Sequence, residues 1–261
     1  MRRWRLVCAA ASICALTAGA APAASRLEPA PPGAAPHAPP QFTKFTAREL
    51  IRGFMALAFG SDLRIGAKPE GLRRFDRIVA VFIDSTASVD RTAAVRAIVA
   101  EYGRTIPNLG IRLTTDAEKA DVVLHLIDEK DFKSALVRAF GPRTARDFVS
   151  RTDPQCMTSV RSQRDGVIAT STSFIIADKG DAVFLDCAYH ELLHALGLSN
   201  HDQHNRWTML NQNRTVGYLD AYDRALLTLL YDPRLQPGMR PAEVRKRLPT
   251  LIDSPGGAPG G

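Results

Sequence analysis

The chain has 261 residues, of which 45% are hydrophobic and 23% charged, and a formal charge of +7. That length gives room for one medium domain or two small ones with a buried core. Three cations, Arg2, Arg3 and Arg5, fall within residues 1–24 and their loss leaves +4; with no nucleic-acid motif beside so modest a balance, nucleic acid is excluded as the expected partner.

Residues 1–24 carry the marks of a secretory signal: a charged start, an apolar run over residues 6–18, and small-residue cleavage sites near Ala20 or Ala23. The expected mature protein is exported, to the periplasm or beyond the cell. No later apolar run approaches the roughly 18 to 20 residues that cross a bilayer, so no stable membrane span is expected. Residues 25–41 are rich in proline and alanine and read as a linker, residues 42–252 as a single domain, and residues 253–261 as a disordered tail.

The domain opens with a capping box, Thr46 and Glu49, followed by the apolar face Leu50, Ile51, Phe54, Met55, Leu57 and Ala58, which predicts an amphipathic helix. This helix is read as an integral support rather than a removable cover. Residues 78–84 form a β-branched and aromatic run, a buried strand. Helical spacing returns at Val95, Ile98, Val99 and Tyr102, and the Pro107-Asn108-Leu109-Gly110 break leads into two further strands near residues 111–115 and 121–128. His125, inside the second of these, is read as a packed or edge histidine.

Arg138, Arg143, Arg146, Arg151, Arg161 and Arg164 mark a polar stretch, read as a solvated loop region. Residues 166–178 predict one more strand, whose Thr170, Ser171 and Thr172 suggest an exposed edge. A helix is expected from an N-cap at Asp181 to a C′ glycine at Gly197, another behind an N-cap at Asp220, and a short one opened by Pro241. The order predicts an α/β (α+β) fold around a twisted mixed sheet.

Outside the signal only Cys156 and Cys187 remain. In an exported chain two such cysteines pair, closing a loop of about 30 residues worth on the order of 3 kcal/mol. Cys187 lies one helical turn before His190, so the bridge would fix the start of the segment FLDCAYHELLHALGLSNHD, residues 184–202.

In that segment His190 and His194 are four apart, so a helix directs both imidazoles to one side. Zinc accepts neutral imidazole nitrogens at about 2.0 to 2.1 Å, and Glu191, next to the first histidine, is placed to act as general base on a water at the metal. The pattern HELLHALGLSNH, followed by WTMLN and LDAYDRALLTLLYDP, resembles the metzincin superfamily of zinc peptidases. That resemblance implies a zincin fold with an active-site helix and a C-terminal helix, one catalytic Zn2+, and a methionine turn at Met209. The superfamily's third histidine would fall at Asn200. His201 is one place later and is the preferred third ligand, with Asn200, Asp202 and His204 as alternatives. Tyr218 is a candidate donor to an oxyanion. The segments GFMALAFGSDL, CMTSV, FLDCAYHELLHALGLSN and YDRALLTLLYDPRLQPGM also resemble a bacterial exported family catalogued as a domain of unknown function, DUF2927.

The expected function is an exported zinc metallopeptidase, a hydrolase of peptide or protein substrates with Glu191 as the catalytic base. The alternative is a non-catalytic, envelope-associated binding domain that retains the fold.

Overall fold

Short aliphatic and β-branched runs build a five-stranded mixed sheet in the computed structural model, which describes residues 45–60, 69–152 and 154–253. The strands are β1 (Val79–Ser85), β2 (Ile111–Leu113), β3 (Val122–Ile127), β4 (Cys156–Ser162) and β5 (Ile168–Ile176), in the order β2-β1-β3-β5-β4. β1 is parallel to β2 and β3, β3 is parallel to β5, and β4 runs antiparallel to β5. The expected signal and linker, residues 1–41, lie outside the described residues, as does all of the expected tail after Asp253.

Parallel neighbours need crossovers, and α2 (Thr92–Thr105) supplies the one between β1 and β2. Strand alternation divides the sheet between two cores. Val122, Leu124 and Leu126 face the main core with Val95, Ile98, Val99 and Tyr102 of α2, whereas Ile127, Phe174 and Ile176 face a second cluster. That second cluster is completed by Phe132, Ala135 and Leu136 of α3 (Glu129–Phe140) and by Ala145 and Phe148 of α4 (Pro142–Thr152). His125 is half-buried on this second face, stacked on Phe174 at 4.7 Å with Nδ1 2.8 Å from Asp84 Oδ2.

α1 (Ala47–Phe59) carries the capping box on Thr46 and Glu49. It is integral to the main core: Leu50, Phe54, Leu57 and Ala58 are buried, and α6 (Ala221–Leu230) meets it through Tyr222, whose hydroxyl donates to Glu49 O at 2.9 Å. Trp207 Nε1 donates to Glu49 Oε1 at 3.1 Å and packs edge-on against Phe45, so it is a packing residue. α7 (Pro241–Ile252) begins with its proline in the first turn and packs Val244, Leu248 and Leu251 inward. Among the described residues no helix is long and apolar enough to cross a membrane.

Three sequence expectations are corrected. The arginine-rich stretch is not a loop: it holds α3, α4 and β4, separated by Gly141 at φ 81° and Pro142. Phe132, Ala135 and Leu136 have helical spacing there, but charged residues on every other face hide it. Nor is β5 the edge strand; β4 is. Of the three hydroxyls that suggest an edge, Thr170 is exposed, but Ser171 Oγ is buried and donates to Ala195 O at 2.8 Å. Finally, Gly180 at φ 86° is the N-cap of α5 (Asp181–Ala195), and Asp181 sits in the first turn, where a carboxylate favours the positive end of the helix dipole.

The Cys156–Cys187 disulfide is present and ties the first residue of β4 to α5. With its cysteines 31 positions apart in sequence, the bridge should contribute about 3 kcal/mol. The double variant Cys156→Ser/Cys187→Ser is expected to lose about that much in urea unfolding; a loss under about 1 kcal/mol would show that packing alone holds β4 to the helix.

Candidate metal centre

From Cys187 on, α5 is buried on nearly all sides: Cys187, Ala188, Tyr189, Leu192, Leu193 and Ala195 pack into the core, and the ionisable residues His190, Glu191 and His194 lie among them. It ends in a Schellman turn: Leu198 N donates to Leu193 O at 3.1 Å and Gly197 N to His194 O at 3.0 Å. Gly197 takes φ 123°, and a Cβ there would lie 2.3 Å from Arg73 O, so both conformation and space demand glycine. The turn reverses the chain and returns His201 to the face of the helix that carries His190 and His194.

The three imidazoles converge. Nε2 of His190 is 3.0 Å from Nε2 of His194, and each is 3.1 Å from Nε2 of His201. On the far side of two rings the partner is a carbonyl: His190 Nδ1 lies 3.2 Å from Met209 O and His194 Nδ1 2.6 Å from Leu198 O. A carbonyl only accepts, so each Nδ1 carries the proton, and in a neutral ring the Nε2 is then a bare lone pair. Burial, reinforced by the neighbouring imidazoles, pushes all three histidines down to about 3. The rings are therefore uncharged, and the Nε2 lone pairs of His190 and His194 face each other with no proton between them.

That arrangement is unfavourable unless a cation sits at the point of convergence. Tetrahedral zinc at 2.0 to 2.1 Å would hold its nitrogens about 3.3 Å apart, so the observed spacing needs only a few tenths of an ångström of opening. Carbonyl acceptors on Nδ1 are also what fixes the tautomer of a metal-binding histidine. The donor set fits zinc.

Glu191 stands beside the triad, 3% exposed, with its Oε2 buried and lacking a hydrogen-bond partner. Burial pushes its carboxyl up to about 8, and the charge of Asp186 adds to the effect. The backbone carbonyl of Glu191 accepts from Thr158 Oγ1 of β4 at 3.3 Å. Helix and edge strand are thus joined at the candidate base.

The loop beneath the histidines is held by a carboxylate that the sequence presents only as a helix-terminal residue. Asp223, fully buried in the first turn of α6, accepts from Met209 N at 2.8 Å and from the Thr208 hydroxyl. Burial and the nearby Asp220 charge push its carboxyl well above the usual range. Met209 is buried, lines the same cavity as the triad, and offers the carbonyl that orients His190. Sequence spacing gives no sign that Asp223 reaches back 14 residues to Met209.

The other ligand candidates lie elsewhere. Asn200 turns toward α1 and donates from Nδ2 to Ala56 O at 3.0 Å. Asp202 Oδ1 accepts from His204 N at 3.1 Å in a local turn, and His204 is exposed. Among the described residues, the one His/Cys/Asp/Glu group compact enough for a metal is His190, His194 and His201. Tyr218 packs against the main core and is not among the cavity-lining residues.

The triad opens into a cavity of about 620 Å³. Its walls include five consecutive residues of β4, Cys156 to Val160, together with Phe140, Thr144 and Phe148 of the α3–α4 hairpin and Val183, Asp186 and Cys187 from the first half of α5. That volume lies within the ordinary range for small-molecule and peptide side-chain sites.

The comparison with family models places the chain: it belongs to the family described as "Protein of unknown function (DUF2927)", whose model matches residues 47–250. No curated protein matches it.

The depressed histidines give the metal-free protein a defined pH response. Unfolded imidazoles take up protons near pH 6.5 but the folded ones only near 3, so between those values the unfolded chain holds more protons and stability falls as pH falls. Glu191 pulls the other way, since its folded carboxyl keeps its proton up to about 8. Comparing metal-free wild type with His201→Gln isolates one histidine. The variant should gain on wild type as pH drops from about 6.5 to 4; a difference independent of pH in urea unfolding would contradict the neutral triad.

Proposed function

We propose that the chain is an exported zinc-dependent peptidase of metzincin-like fold, with His190, His194 and His201 as ligands and Glu191 as general base. The observation that carries this reading is the meeting of three imidazole Nε2 atoms, 3.0 to 3.1 Å apart, beside a buried carboxyl whose Oε2 has no partner among the described residues. Bound zinc supplies two things in such a site: a Lewis acid for the carbonyl and a water acidified toward neutrality.

The chain supplies the rest. With a metal cation beside it favouring the ionised carboxylate, Glu191 would take the proton of the attacking water and return it to the leaving amine, and its buried position would keep that proton from bulk solvent. His190 is held by Met209 O and His194 by Leu198 O, so ring orientation is set before any ligand arrives. β4 is an edge strand whose residues 156–160 line the cavity, and an extended peptide can add to such an edge through its main chain. The disulfide supports an oxidising compartment and hence export.

Glu191→Gln keeps the shape of the side chain and removes the base. Zinc content should stay at the wild-type level while cleavage of a fluorogenic peptide library falls by roughly 100- to 10,000-fold. Retained cleavage would remove Glu191 from the mechanism, and full zinc occupancy in a wild type that cleaves no peptide would favour the binding-domain alternative.

A further inference from the structure

The charges around the cavity do not balance at one end. Asp186 and Arg214 both line it and answer each other: burial raises the Asp186 carboxyl, and the Arg214 charge opposes that shift. Arg214 is also held by Thr208 O, to which its Nη1 donates at 3.0 Å. Arg73 lines the same cavity and has no such counterpart among the described residues. Its Nε is buried with no partner among the described residues, and burial lowers its pKa.

The adjacent arginine shows what a structural role looks like here. Arg74 Nη1 donates to the carbonyls of Leu230, Asp232 and Leu235 at 2.9 to 3.0 Å, and although burial lowers its pKa, Tyr231 and the charges of Asp232 and Asp76 oppose that shift. Arg74 is built into the loop after α6. Arg73 instead packs its backbone on the turn that ends α5, as the 2.3 Å approach to a Cβ on Gly197 shows. Ser199, two residues past that glycine, lines the same cavity, and its Oγ is likewise buried without a partner. His194 and His201 border the cavity too.

A desolvated guanidinium without an anion is costly, and its planar fork of donors matches a carboxylate better than any neutral group. We propose that Arg73 and Ser199 form a carboxylate-binding subsite at the end of the cleft where α5 terminates, taking an acidic side chain or a free terminal carboxylate of a bound peptide. The peptide as carrier rests on the peptidase reading; the recognition of a carboxylate does not depend on hydrolysis.

Three small probes test it with the mature protein, with and without added zinc: N-acetylglutamate α-amide, N-acetylglutamine with a free α-carboxylate, and N-acetylglutamine amide, which has no carboxylate. Binding is followed by NMR through the Arg73 Nε–H and Ser199 amide signals. At least one acidic probe should bind roughly 10- to 100-fold more tightly than the neutral one, and which of the two does so identifies the side-chain or terminal source. Arg73→Gln should abolish that preference. Ser199→Ala, a smaller change that tests the site even if the arginine variant folds poorly, should reduce it several-fold with zinc content unchanged.

Equal binding of all three probes, or a preference that survives both substitutions, overturns the subsite; the second result would place the carboxylate on the added zinc or elsewhere. Cleavage assays run in parallel separate the two claims. Hydrolysis without acid preference removes the subsite and leaves the peptidase, whereas acid-selective binding without hydrolysis leaves the subsite and removes the peptidase.

Discussion

The left-handed turn at Gly197 is the constraint on which the candidate centre depends. An α-helix can place two histidines on one face, but a third ligand must come from chain that has left the helix and doubled back. The Schellman bonds stop α5 at Leu196, and φ 123° at Gly197 redirects the backbone so that His201 reaches His190 and His194. The same turn carries Leu198, whose carbonyl orients His194, and it packs against Arg73. Helix termination, tautomer choice and the wall of the cleft therefore share one local geometry.

Around that turn the protein buries polar groups in a particular division. Asp223 is satisfied, with Thr208 and Met209 as donors, and so is Ser171 of β5, which donates to Ala195 O at the end of α5. Such fully bonded groups fix the loop beneath the histidines and rigidify the core. Glu191 Oε2, Arg73 Nε and Ser199 Oγ are buried in or beside the cleft without partners. Unsatisfied buried groups are rare in folded proteins and persist where a ligand completes them. Asn200 Oδ1 and Arg224 Nε are also buried without partners away from the cavity lining, so it is the grouping of three such atoms on one cavity that marks it as a place where a ligand binds.

Much of this was legible in the sequence, for physical reasons that differ by element. The capping box of α1, the N-cap at Asp220 and the proline opening α7 are local chemistry and appear where expected. His190, Glu191 and His194 follow from helical spacing alone. His201 needed the turn geometry, because Asn200, Asp202 and His204 are chemically plausible neighbours and only the path after Gly197 separates them. The α3–α4 hairpin stayed hidden because its buried side is narrow and its charged residues dominate any local average. The Ser171 hydroxyl reads as solvent-facing because a buried serine that bonds a helix end looks, in sequence, like an edge residue. Asp223 and Arg73 act through tertiary contacts that no short-range pattern carries.

The claim that unites the account is that three neutral histidines meet in order to hold one metal ion. Elemental analysis of the purified mature protein after zinc reconstitution tests it most directly, comparing wild type with His190→Ala, His194→Ala and His201→Ala. The account expects about one zinc per wild-type chain and its loss in each variant. A wild type that takes up no zinc, or one that keeps it in the His201→Ala variant, would contradict the three-histidine centre.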